Sequence, residues 1–322
     1  MCHVIDDFLG INPPGDAAEE ALSRFLALCD ELGIPVALKK TEKGFCMIFL
    51  GVELDTAKMQ ASLPEEKLCR LRAMLEKYSK AKSVTVRELQ SLTGLLNFAC
   101  SVVVPEKPFM RRMCLAFWKL HNPSPFKKLK VTRGMIRDME LWLVFLRGYN
   151  GISMFLPEQP IADHVVQLFT ASSGQCGFGV VFGTHWCMGT WPEAWKKTNF
   201  LMRSMFPVLV AFKCFGPMMK NCKILMYFPH QILVKIVNAQ SAKDPLLMHI
   251  VRSLVLVLLC NNIELVAEWG RHVWNPAVCL SQGDVAQYRR LVPDGNLAPA
   301  EIPSSFLPSS FSATWGPSWR VV

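Results

Sequence analysis

Two adjacent carboxylates, Asp6 and Asp7, sit in the opening stretch Cys2-His3-Val4-Ile5-Asp6-Asp7-Phe8-Leu9. Val4, Ile5 and Phe8 favour extended backbone on either side of them. Carboxylates at the tip of a strand pair offer hard oxygen ligands to a cation such as Mg²⁺. A two-metal site for nucleotidyl transfer is built from such oxygens. An ordinary surface turn between two strands contains the same dipeptide, and a two-residue motif does not separate the two readings. The other residues able to do chemistry are cations. From Lys107 to Arg133 there is no acid, and Lys107, Arg111, Arg112, Lys119, Lys127, Lys128, Lys130 and Arg133 are interleaved with Phe109, Phe117, Trp118 and Phe126. Cations with aromatics can follow a phosphate backbone and stack bases. The competing reading is a helix with its aromatics in a core and its bases on a solvated face. Lys39 and Lys40 open a shorter basic stretch that ends at Gly44. His185 stands two residues from Cys187, but no second pair at matching spacing accompanies it, so it reads as a strand-surface histidine. His121, His230 and His272 have no nucleophile partner visible in sequence.

These groups must be positioned by a chain of 322 residues, enough for about two domains with sizeable cores. It is 51% hydrophobic and 10% aromatic, which excludes a disordered class. A formal net charge of +9 fits an acidic partner, nucleic acid foremost, without identifying one. Twelve cysteines lie mostly in apolar surroundings with no CxxC pair, and read as reduced thiols of a cytoplasmic or nuclear protein. Met1 is followed by a strand pattern with two acids, not by a basic signal-peptide start. The longest apolar run, 254–260, is far shorter than the ~20 residues of a membrane span, so no membrane partner is expected.

The expected elements begin with a hairpin around Asp6-Asp7 and a helix from Asp16 to Gly33, with Leu22, Phe25, Leu26, Cys29 and Leu32 at helical spacing. Strands are expected at 36–38 and 47–54, flanking the Lys39–Gly44 hairpin. Two helices follow. One has Leu68, Leu71, Met74, Leu75 and Tyr78 on a face; the other opens at a Thr85/Glu88 capping box. A further helix carries Met135, Met139, Trp142, Leu143 and Leu146. From about Ile161 the expected order is three strands, a helix, a strand at 223–228, two helices, and a last strand at 263–268. The fold class is α/β: an α+β layer (1–63), a helical region (64–160), a mixed-sheet domain with helices on both faces (161–292), and a Pro/Ser-rich tail (293–322) expected to be disordered.

On an ordered set of short motifs the chain resembles the polymerase–RNase H polyprotein of DIRS-like retrotransposons, the group that integrates with a tyrosine recombinase. The motifs are His3–Leu9, Leu32–Pro35, Lys40-Thr41, Phe49–Asp55, Leu63–Leu68, Arg87–Leu92, Gly94–Cys100, Leu168–Thr170, Trp191-Pro192 and Phe206-Pro207. The resemblance covers roughly residues 1–295 and implies a reverse-transcriptase palm remnant, thumb and connection helices, and an RNase H-like domain. It makes Asp6 and Asp7 the palm aspartate pair, with Mg²⁺ as the implied cofactor. Phe49-Leu50-Gly51 becomes a primer-grip hairpin. The implied partners are RNA, DNA or an RNA–DNA hybrid, through Lys39, Lys40, Lys107, Arg111, Arg112, Lys127, Lys128 and Lys130.

Two departures change the expected chemistry. The third palm aspartate, the fingers and the nucleotide pocket belong to the family's upstream half, whereas this sequence starts five residues before Asp6. Two carboxylates on one hairpin cannot hold two metals, so no polymerase activity is expected of this chain alone. The four RNase H carboxylate positions that the resemblance implies are occupied by Ala171, Ser204, Pro229 and Val278. These side chains do not replace carboxylates in binding Mg²⁺. The expectation is a catalytically inactive retroelement-derived protein that retains nucleic-acid binding. The alternatives are activity in a longer intact product, a domesticated interaction protein, and a nuclease rebuilt from Asp163, Glu193 and Glu268.

Overall fold

The computed structural model describes residues 2–4, 7–13, 15–100, 102, 107–118, 120, 123–148, 153–154, 159–270 and 274–313. The N-terminal layer is thin. Strands β1 (Cys2–Val4) and β2 (Asp7–Leu9) pair antiparallel with Val4 opposite Asp7. Helix α1 (Asp16–Glu31) turns Leu22, Phe25 and Leu26 half-inward, and the Phe8 and Phe25 rings lie 5.0 Å apart. Among the described residues before Ala61, Cys29 alone is buried. The strand expected at 36–38 does not form. Pro35 has no N–H to donate, and the backbone instead bonds locally (Leu38 N to Val36 O, 3.1 Å; Lys40 N to Ala37 O, 2.8 Å), giving a 3₁₀ turn at Leu38–Lys40. The strand expected at 47–54 is a hairpin, β3 (Cys46–Phe49) and β4 (Val52–Asp55). Its two turn residues, Leu50 (φ 49°) and Gly51 (φ 78°), both adopt the positive φ that a tight hairpin requires. Strand β5 (Gln60–Ser62) continues this sheet.

Helix α2 (Glu65–Ser79) buries Leu68, Leu71, Leu75 and Tyr78 on the expected face. Strand β6 (Ser83–Thr85) leads directly into α3 (Val86–Ala99), whose start is the expected capping box. Glu88 N donates to Thr85 Oγ1 (3.2 Å) and Thr85 N donates to Glu88 Oε2 (2.9 Å). The Thr85 N bond, and after it a bond from Thr85 Oγ1 to the same carboxylate oxygen (2.9 Å), hold the Glu88 carboxyl below its ordinary value of 4.5. A depressed carboxylate pKa stabilises the fold above the unfolded value and stops doing so as pH falls through the folded one. Thr85→Ala is therefore expected to cost about 1 kcal/mol at pH 7. In urea unfolding the gap to the parent should narrow below pH 4.5; a gap that does not change with pH contradicts this account of the cap.

The cationic run is not one helix. Helix α4 (Arg111–Trp118) stops before Pro123 and Pro125. Strand β7 (Lys128–Lys130) then returns to pair with β6, and α5 (Arg133–Gly148) begins anew. Strand β8 (Ser153–Met154) closes the first sheet in the order β3-β4-β5-β8.

The mixed sheet expected beyond residue 161 is divided into two. Strand β9 (Ile161–Ala162) pairs parallel with β13 (Lys223–Phe228), and β13 pairs parallel with β14 (Glu264–Trp269). Strands β10 (Leu168–Ser172), β11 (Gly177–Phe182) and β12 (His185–Thr190) form a separate antiparallel sheet. The turn at 163–167, closed by Leu168 N to Asp163 O (2.8 Å), separates the two pairings. Helices α6 (Glu193–Lys196), α7 (Phe200–Phe215), α8 (Gln231–Ala239) and α9 (Pro245–Cys260) provide the cover. The segment Phe200–Met219 is long and apolar enough to cross a membrane by length and composition, and 67% of its apolar window is buried inside this fold. Helices α10 (Ala277–Ser281) and α11 (Val285–Leu291) follow. Alternation along β10 and β11 sends Phe178 and Val180 to the main core and Phe169 and Val181 to a second, smaller core under α10. Gly179 permits that contact, because a Cβ there would fall 2.5 Å from Ala277 O.

The main core runs without interruption from Ala61 to Phe306, so the helical region and the sheet region pack as one. An ion cluster sits at their junction. Asp138 on α5, 1% exposed, receives Arg252 of α9 and Arg112 of α4 on one oxygen. Arg252 also donates to Pro108 O (3.1 Å) and lies 4.9 Å from the Phe109 ring centre. Burial first, and then the Arg112 charge, pull its pKa down to about 9, which leaves it charged against Asp138 at neutral pH.

The tail expected to be disordered is a strap as far as the described residues extend. Ala300 N donates to Trp186 O (2.7 Å) and Asn296 N to Thr184 O (2.8 Å), which covers the open edge of β12. Trp186 Nε1 donates to Asn296 O (2.7 Å) and Trp195 Nε1 to Pro308 O (2.9 Å), at the start of α12 (Pro308–Ala313). Phe306 is 5% exposed in the main core.

Candidate nucleic-acid interface

Asp7 is exposed on β2, and Asp6 lies outside the described residues. Among the described residues, no group of three or more His, Cys, Asp or Glu side chains is placed to hold a metal ion. The four positions at which the resemblance implies RNase H carboxylates offer no such ligands either. Ala171 on β10 packs against the second core under α10, in an apolar setting. Val278 on α10 is 43% exposed, Ser204 is on α7, and Pro229 follows the end of β13. Together they offer one neutral hydroxyl where Mg²⁺ takes carboxylates and an oxygen shell, so these residues do not fit the ion. Among the described residues the acids of the rebuilt-nuclease alternative form no three-ligand cluster. Asp163 is buried and accepts from Tyr227 N (3.0 Å); Glu193 pairs with Lys196 (2.5 Å) on α6; Glu268 is exposed on β14.

The cations expected on a nucleic-acid surface divide into three groups. Arg111 and Arg112 belong to the junction. Arg111 donates to Ser241 Oγ (2.5 Å) and Ala242 O (2.9 Å), while Arg112 bonds Gly134 O (3.2 Å) and Asp138 Oδ1 (3.2 Å). Through Nη1, Arg111 ties α4 to the loop before α9 and Arg112 ties it to α5. Phe109 likewise is core. Lys107 opens the 3₁₀ turn Lys107–Phe109. Lys39 and Lys40 are exposed on the thin N-terminal layer, with Lys43 paired to Glu19 (2.5 Å).

Lys127, Lys128 and Lys130 form the third group, and their setting is a two-stranded ribbon. β6 and β7 pair with Ser83 opposite Lys130, Val84 opposite Leu129 and Thr85 opposite Lys128. Val86 N to Lys127 O (3.0 Å) and Val131 N to Lys82 O (3.1 Å) extend the pairing at both ends. Val84 is 3% exposed and Leu129 packs on the core, so strand alternation turns Lys128 and Lys130 to solvent. Lys80, Lys82, Arg87 and Arg133, all exposed, flank the ribbon. Phe126, in the turn leading into β7, is 74% exposed, and Trp118 at the end of α4 is 69% exposed. Between Lys77 and Arg137 the only acids are Glu88, engaged in the cap, and Glu106. Lys80, Lys82 and Arg87, on either side of β6, escaped sequence reasoning because β6 and β7 lie more than 40 residues apart. The matching Lys-x-Lys spacings of 80–82 and 128–130 were the available signal.

No family model matches the chain, and no curated protein matches it. Among solved structures it is similar to the foamy viral protease-reverse transcriptase dRH in complex with ds DNA, at 16% identity and a TM-score of 0.36, covering 80% of this chain and 43% of that one. The foamy viral protease-reverse transcriptase in complex with RNA/DNA hybrid is similar at the same identity and TM-score, over 78% of this chain and 33% of that one. The native Prototype Foamy Virus enzyme is similar over 60% of this chain at 15% identity and a TM-score of 0.22. This chain therefore spans less than half the length of these solved relatives.

Proposed function

We propose that the chain is a reverse transcriptase–RNase H-like protein of DIRS-type retroelement origin, which binds nucleic acid and does not hydrolyse it. The ordered motifs from His3 to Phe206-Pro207 support the lineage. The observation that carries the function is the solvent-facing cation ribbon of β6 and β7, in a chain whose four RNase H positions hold no carboxylate. Hydrolysis through those positions would need Mg²⁺ held by oxygens that Ala171, Ser204, Pro229 and Val278 do not supply. The eleven cysteines from Cys29 to Cys279 are free, in keeping with a nuclear or cytoplasmic protein. Filter binding with labelled single strands, duplex DNA and an RNA–DNA hybrid should show binding at low salt that weakens steeply as salt rises. Absence of affinity for every one of these at low salt overturns the binding reading.

A further inference from the structure

We infer that the β6–β7 ribbon is a single-strand platform, on which a base stacks on Phe126 while Lys128 and Lys130 hold the adjoining phosphates. The inference rests on the nucleic-acid reading above and goes beyond it by naming the surface and the form of the ligand. Lys128 and Lys130 stand two residues apart on one face of a strand, a separation of about 6.7 Å. Val84 and Leu129 hold that face outward from behind. The ribbon is therefore anchored in the core and does not fold only on binding. Phe126 is adjacent in sequence to Lys127, and Lys127 O is bonded to Val86 N (3.0 Å), which fixes the end of β7 nearest the aromatic ring. An exposed ring beside fixed cations can take an unpaired base on its π-face, whereas bases inside a duplex are already stacked on one another. Arg87, exposed in the first turn of α3, adds a further cation next to the ribbon. Glu88 in the same turn has its carboxylate turned back to Thr85 and Lys77 and so is engaged within the protein.

Fluorescence anisotropy on the full chain tests this, with a labelled 20-nucleotide poly-U strand and a blunt RNA–DNA hybrid of equal length as probes. The single strand is expected to bind more tightly than the hybrid. Phe126→Ala should weaken the single strand at least about fivefold and leave the hybrid unchanged. Lys128→Gln and Lys130→Gln together should make the slope of log affinity against log salt shallower by about 1.4 for the single strand. The corresponding double arginine variant should keep the parent slope, which guards against loss through misfolding. If the glutamine variant retains parent affinity and slope, the ribbon is not the platform, although nucleic-acid binding stands. If the hybrid binds as tightly as the single strand and Phe126→Ala changes neither, the single-strand assignment is overturned. If the parent binds neither probe, this inference and the proposed function fall together.

Discussion

Asp138→Ala is expected to lower the unfolding free energy by about 3–5 kcal/mol, because it leaves the Arg252 guanidinium buried without its counter-charge. Arg252 has a side chain 12% exposed and meets Asp138, 1% exposed, at the junction between α5 and α9. Burial, and after it the Arg112 charge, disfavour the Arg252 cation, and Asp138 is the acid placed on its guanidinium. Arg112 sits on the same oxygen but is 45% exposed. Its replacement by alanine should therefore cost much less, on the order of 1 kcal/mol. The double replacement Asp138→Leu with Arg252→Met removes both charges and should recover most of the loss. Urea midpoints for the four proteins decide the matter. An Asp138→Ala midpoint equal to that of the parent would show that the two regions are not clamped there.

The second large effect lies in the strap. Phe306→Ala should cost about 3–5 kcal/mol, since its ring is the fully inserted apolar group of a segment whose Ala300 and Ile302 are only partly buried against the main core. Lys213 Nζ, 5.0 Å from the ring centre, loses a cation–π partner in the same change. Trp195→Phe should cost only about 1 kcal/mol, from the lost bond to Pro308 O. Removing the strap also uncovers β12 and the Trp186 indole, so the variant should become more prone to self-association on concentration. Thermal melts with light scattering measure both effects. A Phe306→Ala protein that melts and scatters like the parent would contradict the role assigned to the strap.

Where local patterns dominate, sequence and structure agree closely. The Thr85/Glu88 box and the buried face of α2 both follow from spacing and capping chemistry. The divided sheet was not legible, because β9 and β10 compete for one role and the outcome depends on a turn at 163–167 with no strong signal. The strap was hidden by its composition. Pro, Ser and Ala describe its average, whereas its order comes from Phe306 and from two tryptophan N–H groups about 110 residues away.

The candidate site was legible as a charge pattern and not as a geometry. Arg111 and Lys128 look alike in a run of cations, yet one is spent on Ser241 and Ala242 and the other faces water. Helical and strand periods assign such fates only once the element is known, and the break at Pro123 and Pro125 changed the element. The absence of acids at Ala171, Ser204, Pro229 and Val278 was readable directly. What the fold adds is the apolar packing of Ala171 beneath α10.

The most direct test of the account is incubation of the full chain with an RNA–DNA hybrid carrying a 5′-labelled RNA strand, in buffer with Mg²⁺, followed by denaturing electrophoresis. The account predicts a full-length RNA strand at every time point, under low-salt conditions where a parallel binding measurement shows the protein–nucleic acid complex. Mg²⁺-dependent shortening of the RNA strand that is abolished by a chelator would contradict it.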